Sequence, residues 1–244
     1  RGVEVELLVF VGNRTMFYDQ LEREGVKITA FAEKGSVYNP LHLIRLYRFL
    51  KKNHFDVMHT HNTAPQLFAA LVAVLCSVVL CTTEHTTSNR RRDWKWYRLI
   101  DRWMYSKYSR VICISDAAEH NLREYLGCNE ADKKYLTIYN GVDVNKFANA
   151  QPLQGFHTNK KIITMVAGFR YQKDQDTLIR AVQHLSHEEY ELWLVGDGER
   201  RGELENLVAT LGLNDQVKFW GIRGDVPTLL KSSDIVVMSS HFEG

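Results

Sequence analysis

The residues best suited to bind an anion follow a predicted strand, in the stretch AGFRYQKDQDTLIRA at residues 167–181. Gly168 lets the backbone leave the strand without hindrance from a Cβ atom, and Arg170 and Lys173 then lie near the start of the next predicted helix. An arginine fork and a lysine charge at a helix N-terminus suit a diphosphate group. A solvated basic turn would show the same spacing, so spacing alone leaves both interpretations open. The sequence has neither a Walker A motif nor a GxGxxG fingerprint.

A second turn has the same strand–turn–helix form, in the stretch LWLVGDGERRGEL at residues 192–204. Gly196 and Gly198 flank Asp197 where a strand is predicted to end. The two glycines would let bare backbone approach a ligand, although the same three residues also suit a plain tight turn. The sequence therefore indicates a second candidate binding segment here.

Histidines follow two of the predicted strands. His59 and His61 lie in DVMHTHNT, and His85 lies in CTTEHTTSN. Their imidazoles could be metal ligands, acid–base groups, hydrogen-bond partners of a sugar or simply structural. The alternation of side chains along a strand puts His59 and His61 on one face, but Glu84 is the single nearby carboxylate and no further ligand spacing supports a metal. We therefore predict no metal and no other cofactor.

The stretch RRRDWKWYR, from Arg90 to Arg98, mixes five cations with Trp94, Trp96 and Tyr97. Basic residues among interfacial aromatics suit an anionic membrane surface, and single-stranded nucleic acid would accept the same mixture. A third interpretation packs the aromatic rings inward and leaves the arginines solvated. The net charge of only +2 argues against nucleic acid, which we do not predict as a partner. An anionic membrane surface stays a predicted partner.

Strands and helices alternate along the chain and must position these residues. The predicted strands are apolar on both faces, which is typical of a parallel sheet covered by helices on both sides. One predicted helix covers residues 94–109, with Ile100 and Trp103 expected to face inward. The sequence therefore predicts the α/β fold class.

A linker divides this alternation into two parts. Residues 146–161 include Pro152, Gly155 and several amides, and they show little apolar periodicity. We predict two Rossmann-like parallel-sheet domains, at residues 1–150 and 160–244, that face a cleft. Each sheet would offer strand C-termini and helix N-termini to the cleft, and helix N-termini favour phosphates. A nucleotide-linked substrate held between the domains is the expected ligand.

Composition places the chain among ordinary globular proteins. It has 244 residues, of which 45% are hydrophobic and 25% are charged. Its four cysteines form no CxxC pair, which predicts a reduced, cytoplasmic protein. The apolar stretch at residues 67–81 is shorter than the roughly 20 residues that a membrane span needs. The first residues lack the apolar region of a signal peptide, and both ends of the chain look cut.

Eight short motifs occur in an order that resembles a known family. They are DVMHTH at residues 56–61, EH at 84–85, VICIS at 111–115, NGVD at 140–143, GFRYQK at 168–173, GDG at 196–198, FWG at 219–221 and SSHFEG at 239–244. Each motif alone is weak, but the eight together cover nearly the whole chain. Their order is similar to that of the family GT4 glycosyltransferases, which are retaining enzymes of GT-B architecture. The forms RxxKD and TEH resemble those of enzymes that build capsule, lipopolysaccharide or exopolysaccharide.

The resemblance implies transfer of a sugar, with retention, from a nucleotide-sugar donor to a glycan or lipid-linked acceptor in cell-surface polysaccharide synthesis. Arg170 and Lys173 would neutralise the diphosphate leaving group, on which charge accumulates as the glycosidic bond breaks. His85 would bond the donor sugar across the cleft, and Glu243 would begin the family's E-x7-E motif near that sugar. The resemblance implies no metal, and it fits a protein held peripherally at the inner face of the membrane.

Further donor contacts are implied at Gly168, Gly196, Gly198, Gly221, Ile222 and Gly244. The family's first strand, its Gly-rich loop and the second glutamate of E-x7-E have no counterpart here. The second domain is therefore expected to be incomplete, and the chain is expected to be a fragment of a longer enzyme. Two alternatives stay open, a GT-B nucleotide-sugar epimerase and an inactive fragment that binds a nucleotide sugar.

Overall fold

The computed structural model describes residues 2–12, 16–86, 92, 94 and 96–241. By its internal contacts the chain divides into two compact units, residues 1–140 and residues 141–243. Every described strand pair is parallel in both units, which confirms the predicted α/β class.

The first unit alternates strands and helices. Its elements are β1 Glu6–Val9, α1 Met16–Arg23, β2 Lys27–Ala30, α2 Leu41–Lys52, β3 Val57–His61, α3 Thr63–Ala73, β4 Val79–Glu84, α4 Tyr97–Ser106, β5 Arg110–Cys113, α5 Asp116–Leu126 and β6 Tyr135–Thr137. Strands β1 and β2 form a two-stranded sheet, and the other strands form a second sheet in the order β3-β4-β5-β6. Helices α2, α3, α4 and α5 pack side by side in that sequence.

Strands β3 and β4 run in register to the same edge of the four-stranded sheet. His59 lies opposite Cys81 and His61 lies opposite Thr83. Because parallel strands place their carboxyl ends at one edge, the residues that follow β3 and β4 lie side by side. This is the edge at which open α/β sheets bind ligands.

Helix α4 faces the core with a stripe that includes a charged residue. Asp101 and Met104 are buried, whereas Ile100 and Trp103 are 36% and 37% exposed. The prediction that Ile100 and Trp103 face inward is therefore wrong. The Asp101 carboxylate instead lies on the buried side, where it accepts a hydrogen bond from Tyr125 Oη at 3.0 Å. When the buried side of a helix includes an aspartate, the apolar pattern alone assigns the wrong side of the helix to the core.

The second unit repeats the alternation. Its elements are α6 Val144–Ala148, β7 Lys161–Val166, α7 Gln175–Val182, β8 Tyr190–Val195, α8 Arg201–Thr210, β9 Val217–Gly221, α9 Val226–Lys231 and β10 Ile235–Val236. A short 3₁₀ turn, Tyr171–Lys173, precedes α7. The strand order is β10-β7-β8-β9, so β8 lies on one side of β7 and β10 returns to the other. Such a reversal is a topological switch point, where a ligand binds beyond the carboxyl ends of the strands.

Part of the segment predicted as a linker packs against the second unit. Leu153 N donates a hydrogen bond to Ser232 Oγ at 2.7 Å. The ring of Phe156 meets that of buried Trp193 edge-on, with centroids 5.0 Å apart. These contacts hold the stretch before β7 on the second sheet.

Candidate functional site

The turn after β7 carries Gly168, Arg170 and Lys173 at the switch point of the second unit. Buried Phe169 anchors the turn, and Gln175 Nε2 donates to Gly168 O at 3.0 Å. Arg170 is exposed, and no acidic residue in the described part of the chain forms an ion pair with its guanidinium. Lys173 is half-buried. An uncompensated cation therefore lies where the topology places a ligand.

The turn after β8 lies directly against the turn after β7. Phe169 N donates to Asp197 O at 3.0 Å, and Arg200 N donates to Phe169 O at 3.2 Å. The two segments that the sequence indicated as binding turns thus form one continuous surface at the edge of the sheet.

This close approach requires glycine at two positions. A Cβ atom on Gly196, whose φ is +139°, would lie 2.0 Å from Ala167 O, and a Cβ atom on Gly198 would lie 2.5 Å from Phe169 O. Gly196 N also donates to Gly221 O at 2.8 Å, which brings the end of β9 to the same edge. Backbone, not side chain, therefore forms most of this surface.

The segment after β10 fixes the same turn from its other side. Ser239 Oγ donates to Lys173 O at 3.2 Å and to Asp174 O at 2.8 Å, and His241 N donates to Gln172 O at 2.9 Å. Asp174 has the left-handed φ of +47°. Its carboxylate caps α7 by accepting from Thr177 N at 3.3 Å. Asp174 and Ser239 belong to the motifs RxxKD and SSHFEG, but their roles in fixing this turn were not predicted, although an aspartate directly before a predicted helix is a capping signal.

Two carboxylates near the turns, those of Asp176 and Asp197, are compensated by arginines at the start of α8. The guanidinium of Arg200 makes a bidentate ion pair with the carboxylate of Asp176, with N···O distances of 2.7 and 2.9 Å. These hydrogen bonds hold the pKa of Asp176 below its ordinary range. Arg201 pairs with Asp197 at 3.2 Å. These acidic groups therefore do not cancel the charge of Arg170.

The structure brings most of the predicted donor-binding residues of the second unit together. Gly168, Gly196, Gly198 and Gly221 lie on adjoining strand ends, and Ile222 follows Gly221 with an exposed side chain. Glu243 and Gly244 lie outside the described residues.

Three histidines form a stack at the edge shared by β3 and β4. His61 Nδ1 lies 2.8 Å from His85 Nε2, and His59 Nε2 lies 2.8 Å from Thr83 Oγ1. Ring centroids are 4.6 Å apart between His59 and His61 and 5.1 Å apart between His61 and His85. Partial burial, reinforced by the neighbouring imidazoles, lowers the pKa of both His59 and His61. The sequence placed these residues just past two predicted strands but could not reveal the hydrogen bond between His61 and His85.

The nearby carboxylate of Glu84 is fully engaged elsewhere. It accepts hydrogen bonds from Gln66 Nε2 of α3 at 2.6 Å, from Arg92 Nη2 at 3.1 Å and from Tyr105 Oη of α4. Across the described ranges, no group of three or more histidine, cysteine or acidic side chains has the arrangement of a metal site.

The predicted membrane segment is only partly described, since Arg90 and Arg91 lie outside the described residues. Trp94 and Trp96 are 59% and 55% exposed, so these two rings do not pack inward. Arg92 differs from a solvated surface cation, because its guanidinium pairs with buried Glu84. Exposed aromatic rings thus lead into α4. Within the part that the structure describes, no helix is long and apolar enough to cross a bilayer.

Relatives of known name are similar over most of the chain. A UDP-Gal:alpha-D-GlcNAc-diphosphoundecaprenol alpha-1,3-galactosyltransferase of Escherichia coli is 28% identical over 222 residues, which are 83% of this chain and 56% of the relative. A phosphatidyl-myo-inositol mannosyltransferase of Mycobacterium tuberculosis is 27% identical over 183 residues, 71% of this chain and 46% of the relative. The chain spans about half the length of the curated relatives that it matches.

Solved structures show the same fold at low identity. Anabaena HepE in complex with UDP and glucose matches with a TM-score of 0.78 and 17% identity, over 96% of this chain and 74% of that one. A sucrose-phosphate synthase of Thermosynechococcus elongatus matches with a TM-score of 0.72 and 15% identity, over 98% of this chain and 76% of that one. The fold that the chain shares with these neighbours is GT-B.

Models of two sequence families divide the chain between them. The model described as Glycosyl transferases group 1 matches residues 147–244, which include both turns of the second unit. The model described as Glycosyltransferase Family 4 matches residues 1–146, which include the histidine stack. On these matches, the chain belongs to glycosyltransferase family 4.

Proposed function

We propose that the protein carrying this chain is a hexosyltransferase. It moves a sugar from a nucleotide-sugar donor to a glycan or lipid-linked acceptor, with retention, in the synthesis of a cell-surface polysaccharide. Family membership supports sugar transfer, and the E. coli relative is named for a UDP-galactose donor and a diphosphoundecaprenol acceptor. The observation that carries the proposal is the exposed Arg170, which has no acidic partner among the described residues and lies on a glycine-framed turn at the switch point.

Such a site must stabilise the negative charge that develops on the leaving group. When the bond between the sugar C1 and the donor phosphate oxygen breaks, its electron pair stays on that oxygen of the nucleoside diphosphate. The guanidinium of Arg170 and the ammonium of Lys173 stabilise this charge, together with the N-terminus of α7. Fixed cations do so better than water, because they need no reorganisation at the moment of reaction.

Retention is compatible with a reaction on one face of the sugar. The acceptor hydroxyl approaches the face that the diphosphate leaves, and its proton passes to the departing phosphate oxygen as the new C1–O bond forms. His85 holds the donor sugar by a hydrogen bond. Charge stabilisation by Arg170 and Lys173 leaves no step that requires a metal or another cofactor, so we propose metal-independent transfer.

The backbone of the two turns would receive the donor itself. Gly196 and Gly198 let the two turns pack against each other, and the diphosphate would lie along the backbone edge that these turns form with Gly168. Gly221 and Ile222, at the end of β9, would line the pocket of the nucleotide base.

A membrane surface is the second proposed partner, because lipid-linked acceptors reside there. The exposed rings of Trp94 and Trp96 are followed on α4 by Leu99, which is 71% exposed. Arg98 and Arg102 lie on the same helix. Aromatic and apolar side chains beside cations suit the interface of an anionic bilayer. We propose peripheral attachment at the inner face of the membrane.

Calorimetry and a transfer assay test this function. UDP- and GDP-sugars are titrated into the chain, and transfer is then assayed with the natural full-length protein and a lipid-linked acceptor. Binding followed by transfer with retained configuration supports the proposal. Conversion of the donor to its 2-epimer would indicate an epimerase instead. Binding without any turnover by the full-length protein would indicate a nucleotide-sugar binder.

A further inference from the structure

The bond between His61 and His85 has a consequence for the way His85 meets a ligand. An imidazole has two ring nitrogens, and the neutral ring carries a proton on one of them. His85 Nε2 lies 2.8 Å from His61 Nδ1, so this nitrogen is already engaged whichever of the two atoms donates. Only Nδ1 of His85 is left for another partner.

Several contacts keep His61 itself in place. Its backbone ends β3 opposite Thr83, and its ring stacks on that of His59 with an interplanar angle of 28°. His59 is in turn tied to β4 by its 2.8 Å contact with Thr83 Oγ1. Asn62, the next residue, has the left-handed φ of +69°, so the chain turns sharply away after His61. The ring of His61 is thus held between two other imidazoles.

We propose that His61 is a positioning residue for His85, which it orients so that Nδ1 of His85 meets a hydroxyl of the donor sugar. This inference rests on the proposed function, in which His85 contacts the donor. His61 touches no reacting atom in this account. It selects the nitrogen that His85 presents and holds the ring still before the donor arrives.

The surroundings keep the bond between the two rings intact at neutral pH. An imidazole–imidazole hydrogen bond needs one protonated and one unprotonated nitrogen at the contact, and a second proton there would break it. Partial burial is the main reason why the pKa of His61 is lowered, and the imidazoles of His59 and His85, the titratable groups that bear on it among the described residues, also oppose its protonation. Glu84 is committed to α3 and α4.

Nitrogen-15 NMR of histidine-labelled chain tests the inference without any assay of activity. Two-bond 15N–1H spectra show which ring nitrogen carries the proton. We expect His85 to hold a single tautomer in the wild type and both tautomers in His61→Ala. His61→Asn should retain one tautomer, because the asparagine amide can occupy the place of the imidazole Nδ1. His187→Ala, which removes an exposed histidine of the α7–β8 turn, is the matched control and should change nothing at His85.

Transfer by the full-length protein supplies the second readout. We expect His61→Ala to lower turnover by about five- to tenfold, the worth of one hydrogen bond, and His61→Asn to recover most of it. The inference would be overturned if the His85 spectrum of His61→Ala equalled that of the wild type. It would also be overturned if His85 populated both tautomers in His61→Ala and the variant still turned over at the wild-type rate. If the wild type transfers nothing, the proposed function fails, while the spectra still decide whether His61 fixes His85.

Discussion

The substitution Gly196→Ala tests whether the two turns of the second unit meet as closely as described. The added Cβ atom would lie 2.0 Å from Ala167 O and 2.9 Å from Ala167 C, whereas ordinary contact begins at 3.4 Å. Both obstructing atoms are backbone atoms, so no side chain can move aside. The turn after β8 must therefore withdraw from the turn after β7 by about 1.4 Å, the difference between ordinary contact and the clash.

The magnitude follows from what that movement breaks. Phe169 N donates to Asp197 O and Ala167 N donates to Val195 O, both at 3.0 Å, and each bond stabilises the fold by about 1 kcal/mol. Alanine at a φ of +139° costs about 1–3 kcal/mol in addition. We expect a total loss of about 3–5 kcal/mol, a large share of the stability of an ordinary domain.

Native-state hydrogen exchange of the β7 and β8 amides measures this loss in the second unit alone. Gly202→Ala is the matched control, because Gly202 is the second residue of α8 and, apart from its chain neighbours and the backbone of its own helix, no atom lies within 4 Å of the position that its Cβ would take. Alanine is favoured over glycine by about 0.5–1 kcal/mol in a helix interior and by less in the first turn, so this control should leave the stability of the unit unchanged or raise it slightly. A loss below about 1 kcal/mol in Gly196→Ala would refute the close approach of the turns.

Four further predictions concern charge, metal, membrane and pH. Arg170→Ala or Lys173→Ala should lower transfer by about 10²–10³, by analogy with the loss of one oxyanion donor, and near-wild-type rates would contradict the diphosphate role. EDTA should leave transfer intact, whereas a loss that added metal restores would identify the histidines as ligands. Charge reversal at Arg90 and Arg91 should release the protein from anionic vesicles in a sedimentation assay, and unchanged sedimentation would favour a solvated surface. Charge reversal at Arg92 should instead destabilise the fold, because it leaves Glu84 buried without its cation. The thermal stability of the first unit should fall as the pH drops below about 6.5. Below that pH, His59 and His61 bind protons more readily in the unfolded chain than in the fold, where their pKa values are lowered. A melting temperature that does not change with pH would contradict this prediction.

The alternation of apolar strands with amphipathic helices was enough to predict the α/β class and the strand-to-helix turns. Strand β8 illustrates why, since its run YELWLV is buried over nearly its whole length, as a central parallel strand must be. Helix α4 shows the limit of the same reasoning. Its core-facing stripe includes Asp101, so an apolar pattern assigned Ile100 and Trp103 to the wrong side.

The geometry of the site depends on contacts between distant segments, which the spacing of residues along the chain does not reveal. The bond between His61 and His85 follows from the register of β3 against β4, which is a property of two segments more than 20 residues apart. The need for glycine at position 196 follows from the approach of a different turn. The sequence predicted a diphosphate at the turn of Arg170 and Lys173 and a ligand-facing backbone at the turn of Gly196 and Gly198, and tertiary contacts determined that these two turns adjoin.

The location of bound UDP tests the central claim most directly. A crystal structure of the chain soaked with UDP should place the diphosphate within hydrogen-bond distance of the Arg170 guanidinium and the Lys173 ammonium, against the backbone of the turn after β7. A diphosphate bound away from that turn, with neither cation in contact with it, would contradict the account.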